Sequence, residues 1–414
     1  MSNKTQIQTP PAQTDPQINS QNSPQTSVQS NSQVEQARQR LLSLEGVLNR
    51  LIIGHEEAVK GLMLALVARE HIALIGPPGT AKTMLATTAA KLLDAKCFTY
   101  LMTRFTTYEE LVGMIDILAL NNNELKRRWS SLFEADIAFL DELFKSNSAI
   151  LNALLSLMQE RVVYDAVTGQ PVAARLWTLI GASNEIPLDE ELQAVYDRFA
   201  VKVFIQYISD DAKILAALKA RWSSTSSFTQ PIASMDDVRT LHSFAIALLQ
   251  KGKIKNLGEV VGLYHINMTP MVRALRAKGI VLSDRMVLEK LAELYASYLV
   301  LYGITPENMV NAVYDTITLV ARTPQEAAEI KKVIEDSLGE VAELSKKLEQ
   351  AKSMLKNDEE GALKIFKEIA SYDVSRLVNK PWLKPRIEAI VKTAQEYAKS
   401  TQEIIERKKA LMER

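Results

Sequence analysis

His71-Ile72-Ala73-Leu74-Ile75-Gly76-Pro77-Pro78-Gly79-Thr80-Ala81-Lys82-Thr83 is the stretch that decides the fold. Its first five residues are an apolar run of strand length, and the run turns at once into a glycine loop. Met84 to Leu93, just beyond, reads as an apolar helix. A strand–loop–helix of this kind aims backbone N–H groups at an anion beside the positive end of a helix dipole. Gly76 and Gly79 let the backbone curl around phosphate oxygens without a Cβ clash, and Pro77, Pro78, Thr80 and Ala81 complete the loop. Lys82 is placed to reach the β- and γ-phosphates of a nucleotide, and the Thr83 hydroxyl to ligate Mg²⁺. One residue departs from the usual pattern: Ala81 stands where glycine precedes the lysine. Alanine is the smallest replacement, so the loop is expected to survive it.

Working outward, Ile137-Ala138-Phe139-Leu140-Asp141-Glu142 is an apolar strand ending in two acids. Neighbouring side chains on a strand point apart, so the two acids should do different jobs. Asp141 would hold Mg²⁺ through its water shell, and Glu142 would orient and deprotonate an attacking water. An acidic pair at a strand end is common by itself; its pairing with the glycine loop gives it meaning. Leu179-Ile180-Gly181-Ala182-Ser183-Asn184-Glu185 is a further buried strand ending at an amide. Asn184 is either an ordinary turn residue or a positioner of water near a γ-phosphate. Tyr196-Asp197-Arg198-Phe199 and Ser283-Asp284-Arg285 each carry an arginine. Arg198 could neutralise transition-state charge, and Arg285 could reach back to the nucleotide from a second domain. The plainer reading of each is a surface ion pair, with Asp197 or Glu191 as the partner of Arg198.

Candidate strands at Phe98–Met102, Ile137–Leu140, Leu176–Ala182 and Val201–Ile205 alternate with helical stretches. The pattern predicts an α/β core, a parallel sheet with helices on both faces, over residues 35–208. An all-α lid follows over 209–322, opened by the helix-start signal Ser209-Asp210-Asp211. Residues 323–414 form long C-terminal helices: one amphipathic stripe runs through Ile330 to Leu355 and another from Pro385 onward, with Asn379–Pro385 as a rigid bend between them. The two could pair as a hairpin. Residues 1–34, rich in Gln, Ser, Asn, Thr and Pro, read as a disordered tail.

Lys and Arg total 49, as do Asp and Glu, so the formal net charge is zero. That balance gives no general reason to expect nucleic acid as a partner. Cys97 is the one cysteine, which rules out an intrachain disulfide; a small buried residue is expected there rather than a nucleophile. No apolar run approaches the roughly 20 residues that cross a bilayer, and a soluble cytoplasmic protein is the default.

In this order the motifs resemble those of AAA+ ATPases of the MoxR family, over about His55 to Val300. Leu101-Met102-Thr103-Arg104-Phe105, and Leu140-Asp141-Glu142-Leu143-Phe144-Lys145 with the helix after it, are similar to the RavA subgroup. The triple-helical and β-rich insertion of RavA itself is not evident in this sequence. The resemblance implies ATP and Mg²⁺ as cofactors, with Lys82 and Thr83 in the Walker A motif and Asp141 and Glu142 in Walker B. It also implies Asn184 as sensor 1, Arg198 as an arginine finger acting on a neighbouring subunit, and Arg285 as sensor 2. Such proteins form homo-oligomeric rings, usually hexamers. They act as chaperone-like factors that remodel, assemble or activate a client protein complex, often with a von Willebrand A domain partner. The alternative is a nucleotide-gated interaction module in which ATP binding switches assembly.

Overall fold

A computed structural model of the chain describes residues 24–122, 126–165, 168–222, 230–254, 258–355, 358–375 and 384–412. The first helix, α1 (Pro24–Leu51), starts inside the stretch expected to be a disordered tail. The expectation over 1–34 is corrected from Pro24 onward, and residues 1–23 lie outside the described residues. Ala37, Leu41, Leu44 and Leu48 bury one face of α1. With that face docked, each added helical residue costs only propagation, which Gln and Ser tolerate. Helix α2 (Glu56–Ala68) is apolar on nearly every side and is buried accordingly.

The sheet has five parallel strands: β1 (Ile72–Ile75), β2 (Cys97–Leu101), β5 (Ile137–Asp141), β8 (Thr178–Ser183) and β9 (Val201–Phe204). Their spatial order is β2-β5-β8-β1-β9, with Ile75 opposite both Ser183 and Phe204. Period-2 alternation divides each strand between two cores. Leu74, Phe139, Ile180 and Val203 join α1, α2 and α3 (Lys82–Leu92). Ala73, Ile75, Ala138, Leu140 and Leu179 join α4 (Tyr108–Val112), α6 (Ser148–Glu160) and α7 (Glu190–Tyr196) on the other face. This is the α/β architecture with helices on both faces that the sequence predicts.

Two small antiparallel pairs decorate the sheet. One joins β3 (Gly113–Ile115) to β4 (Arg127–Trp129) around α5 (Ile117–Asn121); the other joins β6 (Val162–Tyr164) to β7 (Pro171–Ala173). Cys97, expected to be buried, is exposed. It opens an edge strand at a position facing away from buried Phe98, so alternation sends it to solvent.

After the sheet come α8 (Asp211–Trp222), α9 (Met235–Lys251), the short pair β10 (Lys253–Ile254) and β11 (Gly258–Glu259), α10 (Val260–Ala277), α11 (Leu291–Tyr302) and α12 (Pro306–Thr318). Residues of α9 to α12 share one continuous apolar core with α1 and α2. The helical lid is therefore packed on the sheet's helical layer rather than around a core of its own.

At the C-terminus, α13 (Pro324–Met354) opens on the cap Thr323, whose side chain accepts from the Glu326 N–H, with Pro324 in the first turn. The expected pair of helices is corrected to three, because α14 (Glu359–Ala370) lies between α13 and α15 (Lys384–Met412). Most of the bend expected at Asn379–Pro385 falls in residues 376–383, outside the described residues. Leu348, Ala351, Phe366, Ile369, Ile387 and Ala394 make this bundle's own core. Phe366 is fully buried there and stacks on Tyr397 at 5.2 Å. Phe366→Ala is expected to destabilise the bundle by about 3–5 kcal/mol. Amide exchange should quicken across α13–α15 and stay unchanged in β1 and β8; unaltered exchange in the bundle would contradict this packing.

Candidate active site

The parallel register gathers the carboxyl ends of β1, β5 and β8, the edge where open α/β sheets bind ligands. The Gly76 N–H donates to the Ser183 carbonyl at 3.0 Å, which ties the loop after β1 to the end of β8. A Cβ on Gly76 would lie 2.1 Å from the Ile205 carbonyl oxygen. Gly76 is thus required by the neighbouring backbone, a different reason from the phosphate clearance expected of it. Gly79 does need its freedom, at φ +79°. Ala81 is left-handed as well, at φ 62° and ψ 18°, directly before α3. That conformation explains why glycine is usual at this place.

Lys82 is buried. Its Nζ donates to the Gly76 carbonyl (2.7 Å), the Pro77 carbonyl (2.9 Å) and Asn184 Oδ1 (3.3 Å). Burial pulls its pKa below the ordinary lysine value, and Asp141 and Glu142 oppose that shift. The Thr80 hydroxyl donates to the Pro77 carbonyl at 2.8 Å and closes the loop from within.

The two acids take separate partners, but not by the strand alternation expected: β5 ends at Asp141, and a left-handed turn at Glu142 separates them. Asp141 Oδ2 accepts from the Thr83 hydroxyl at 3.1 Å, and its Oδ1 from the Glu142 N–H at 3.0 Å. Glu142 is left-handed, at φ 53°. Its Oε1 accepts from Asn184 Nδ2 at 2.8 Å and lies 3.4 Å from Lys145 Nζ. Asn184 therefore bridges Lys82 and Glu142. Thr83 and Asp141 offer adjacent oxygens suited to a hard cation. Among the described residues no cluster of three or more His, Cys, Asp or Glu is placed to hold a metal. A cation at Thr83 and Asp141 would complete its shell with phosphate and water, the habit of Mg²⁺.

Arg198 and Arg285 are not part of this group. Both line a separate cavity of about 240 Å³, whose walls carry five cations (Arg198, Lys202, Arg285, Lys290 and Arg322) and one carboxylate, Asp197. Asp197 is 3.3 Å from Arg322, not paired with Arg198. The Arg198 Nη1 reaches only the Ala194 carbonyl, at 3.4 Å, and its buried Nε has no hydrogen-bond partner. Lys202 is buried and donates to the Phe199 carbonyl at 2.6 Å; burial pulls its pKa down to about 8. Arg285 is exposed and lies 3.4 Å from Glu289.

A family model described as the MoxR domain of MoxR–vWA–β-propeller ternary systems matches residues 39–243. An uncharacterised protein of Methanocaldococcus jannaschii is 34% identical over 242 residues, 58% of this chain and 60% of that protein. A second from that organism is 38% identical over 182 residues, 44% of this chain and 47% of its own length. The chain thus spans about half to three-fifths of these relatives. A Holliday junction branch migration subunit of Fervidobacterium nodosum is 27% identical, over 59% of this chain and 71% of its own. The crystal structure of a proposed ATPase from Cytophaga hutchinsonii overlays with a TM-score of 0.57 at 19% identity, covering 75% of this chain and 98% of that one. Residues 39–243 form a MoxR-like AAA+ ATPase domain.

This AAA+ domain also has a cleft that sequence reasoning missed. A cavity of about 370 Å³, lined by Gly54, His55, Ile205, Tyr207, Ile208 and Lys213 among others, lies beside the phosphate loop. The Tyr207 hydroxyl donates to the Pro78 carbonyl at 3.2 Å, which fixes one wall to the loop. These residues have no motif spacing; only the pairing of β1 with β9 unites them. The loop's geometry yields paired expectations. Gly76→Ala should lose nucleotide binding and stability together. Ala81→Gly should keep binding and gain up to about 1 kcal/mol, because relief of left-handed strain (about 1–2 kcal/mol) outweighs glycine's entropy. Urea unfolding with nucleotide titration measures both, and an Ala81→Gly protein less stable than the parent would contradict the strain.

Proposed function

We propose that the chain is an ATP-hydrolysing AAA+ ring motor, a hexamer of cytoplasmic subunits that remodels, assembles or activates protein complexes. One observation carries the reading: Lys82, Thr83, Asp141, Glu142 and Asn184 are joined at one strand edge, while Arg198, with an unpartnered buried nitrogen, lies in a cation-lined cavity elsewhere. Half of a phosphoryl-transfer site sits at each place, and two subunits make one whole.

The phosphate loop Gly76–Thr83 holds the triphosphate, with Lys82 exchanging a carbonyl acceptor for β- and γ-phosphate oxygens. The base and ribose enter the cleft walled by His55, Tyr207 and Lys213 beside the loop. Thr83 and Asp141 would hold Mg²⁺, which would neutralise phosphate charge. Glu142 takes the proton of the attacking water, and Asn184 sets the direction of its carboxylate. Arg198 of a neighbouring subunit meets the γ-phosphate; such a cation contributes about three to five orders of magnitude in related reactions. Arg285 shares the Arg198 cavity, so it acts across the same boundary rather than reaching back to its own loop. The ion-pair alternative for Arg198 loses ground because Asp197 is engaged by Arg322. A buried guanidinium nitrogen left unpaired costs about 1–3 kcal/mol, more than a surface pair returns.

The matched family model names a vWA component in the systems it describes, which supports a separate vWA-domain chain as partner. The stretches around Leu101–Phe105 and Leu140–Lys145 favour the RavA-like branch. Among the described residues no helix is long and apolar enough to cross a membrane.

Glu142→Gln is expected to bind ATP as the parent does and to hydrolyse it at least about a hundredfold more slowly, the scale of a lost general base. Isothermal titration and phosphate release measure this. Near-normal turnover would give water activation to another residue; full client action without turnover would favour the nucleotide-gated module. Arg285→Ala should leave ATP affinity unchanged at protein concentrations below assembly and lower turnover above it. A loss of affinity in the dilute protein would place Arg285 on its own subunit's nucleotide.

A further inference from the structure

Helix α8 buries none of its twelve residues. Ile214, Leu215, Leu218 and Trp222 nevertheless follow three- and four-residue spacing along one side, with Leu218 52% and Trp222 82% exposed. A helix of this length is marginal in water without a packing partner, and a contiguous apolar stripe on a surface marks a contact site. Among the described residues nothing covers it.

Position says what does. The first turn of α8 borders the nucleotide cleft: Lys213 lines that cavity and donates to Glu56 at 2.9 Å. The stripe therefore adjoins the site that, on the reading above, receives Arg198 from another subunit. The surface that brings those cations has its own apolar rim. Val281 lines the cation cavity and is 66% exposed, and Leu288, one helical turn beyond Arg285, is 72% exposed. Charge is complementary across the same boundary: Arg198 and Lys202, whose partners are backbone carbonyls, lie on one side, and Asp141, Glu142 and the phosphates of a bound nucleotide would lie on the other.

We propose that the apolar stripe of α8 is a subunit contact of the ring and that its occupant is a second copy of this chain, which covers it with Val281 and Leu288 around its Arg198–Arg285 cavity. The proposal rests on the trans reading of Arg198 and names the surface that makes it possible. Charge steers the two faces into register, and the apolar contact supplies adhesion that salt does not screen. Because none of Ile214, Leu215, Leu218 and Trp222 lines the cleft beside the phosphate loop, the stripe can be altered without touching the chemistry.

The test uses the full chain with Cys97→Ser and a slowly hydrolysed ATP analogue, with mass measured against protein concentration. The parent should assemble. The Leu215→Asp, Leu218→Asp double variant should bind nucleotide as the parent does and require at least about tenfold more protein to assemble, a change of about 1.4 kcal/mol. Leu288→Asp should behave likewise. In a third protein, Leu218→Cys and Leu288→Cys should form an oxidised ladder of linked subunits only when nucleotide is present, which also reads the contact if the aspartates disturb folding. A parent that never assembles overturns the trans reading together with this proposal. A parent and double variant that assemble alike overturn the α8 contact and leave the trans reading standing. Loss of assembly without cross-linking overturns the second copy's Val281–Leu288 face as the occupant.

Discussion

The parallel pairing of β1 with β8, and of β8 with β5, is the constraint on which the nucleotide site depends. It sets Ile75 opposite Ser183 and Leu140 opposite Gly181, so that three strand ends leave the sheet within hydrogen-bond reach of one another. The Gly76 N–H then meets the Ser183 carbonyl, and Asn184 spans from Lys82 to Glu142. A slip of one residue would turn every inward side chain of β8 to the opposite face and carry Asn184 away from both. The apolar residues on the two sheet faces oppose that slip, since Leu179 and Ile180 belong to different cores. Core packing thus holds the arrangement of Lys82, Glu142 and Asn184.

Charge divides the molecule's chemistry in two. At the strand edge, Asp141 and Glu142 sit opposite one buried ammonium, and burial depresses the Lys82 pKa while the acids raise it. At the second cavity cations outnumber carboxylates along the walls, and Arg322 occupies Asp197, the carboxylate that lines it. Lys290 is paired with Glu70, Arg285 with Glu289 and Arg322 with Asp197, which leaves Arg198 and Lys202 on backbone carbonyls as the cations an incoming anion would favour. On the proposed reading, ATP would supply the negative charge that makes the meeting of strand edge and cavity favourable and would couple nucleotide state to subunit contact.

Much of this was legible because each functional residue at the strand edge directly follows an apolar run. His71–Ile75, Ile137–Leu140 and Leu179–Ala182 announce strands, and the polar residues that follow them are brought together at one edge of the sheet. The three-residue strands β3, β4, β6 and β7 gave no such signal, being too short for alternation to stand out. The Arg198 cavity was hidden for a different reason: Arg198, Lys202, Arg285, Lys290 and Arg322 come from distant parts of the chain and meet only because the lid packs on the sheet's helical layer. Cys97 was misread because burial statistics for cysteine ignore which face of an edge strand a residue occupies. In α14, Ala362, Phe366 and Ile369 repeat at helical spacing, so a third C-terminal helix was present in the pattern but lay between two longer stripes.

Subunit complementation tests the central claim most directly. Arg198→Ala and Lys82→Ala proteins are each assayed alone for ATP hydrolysis, and then mixed, with subunit exchange verified by labelled chains. Each alone should be nearly inactive. The mixture contains boundaries that pair an intact phosphate loop with an intact arginine, and it should regain part of the parent's turnover. Full activity of Arg198→Ala alone, or verified exchange without any recovery, would contradict a site shared between subunits.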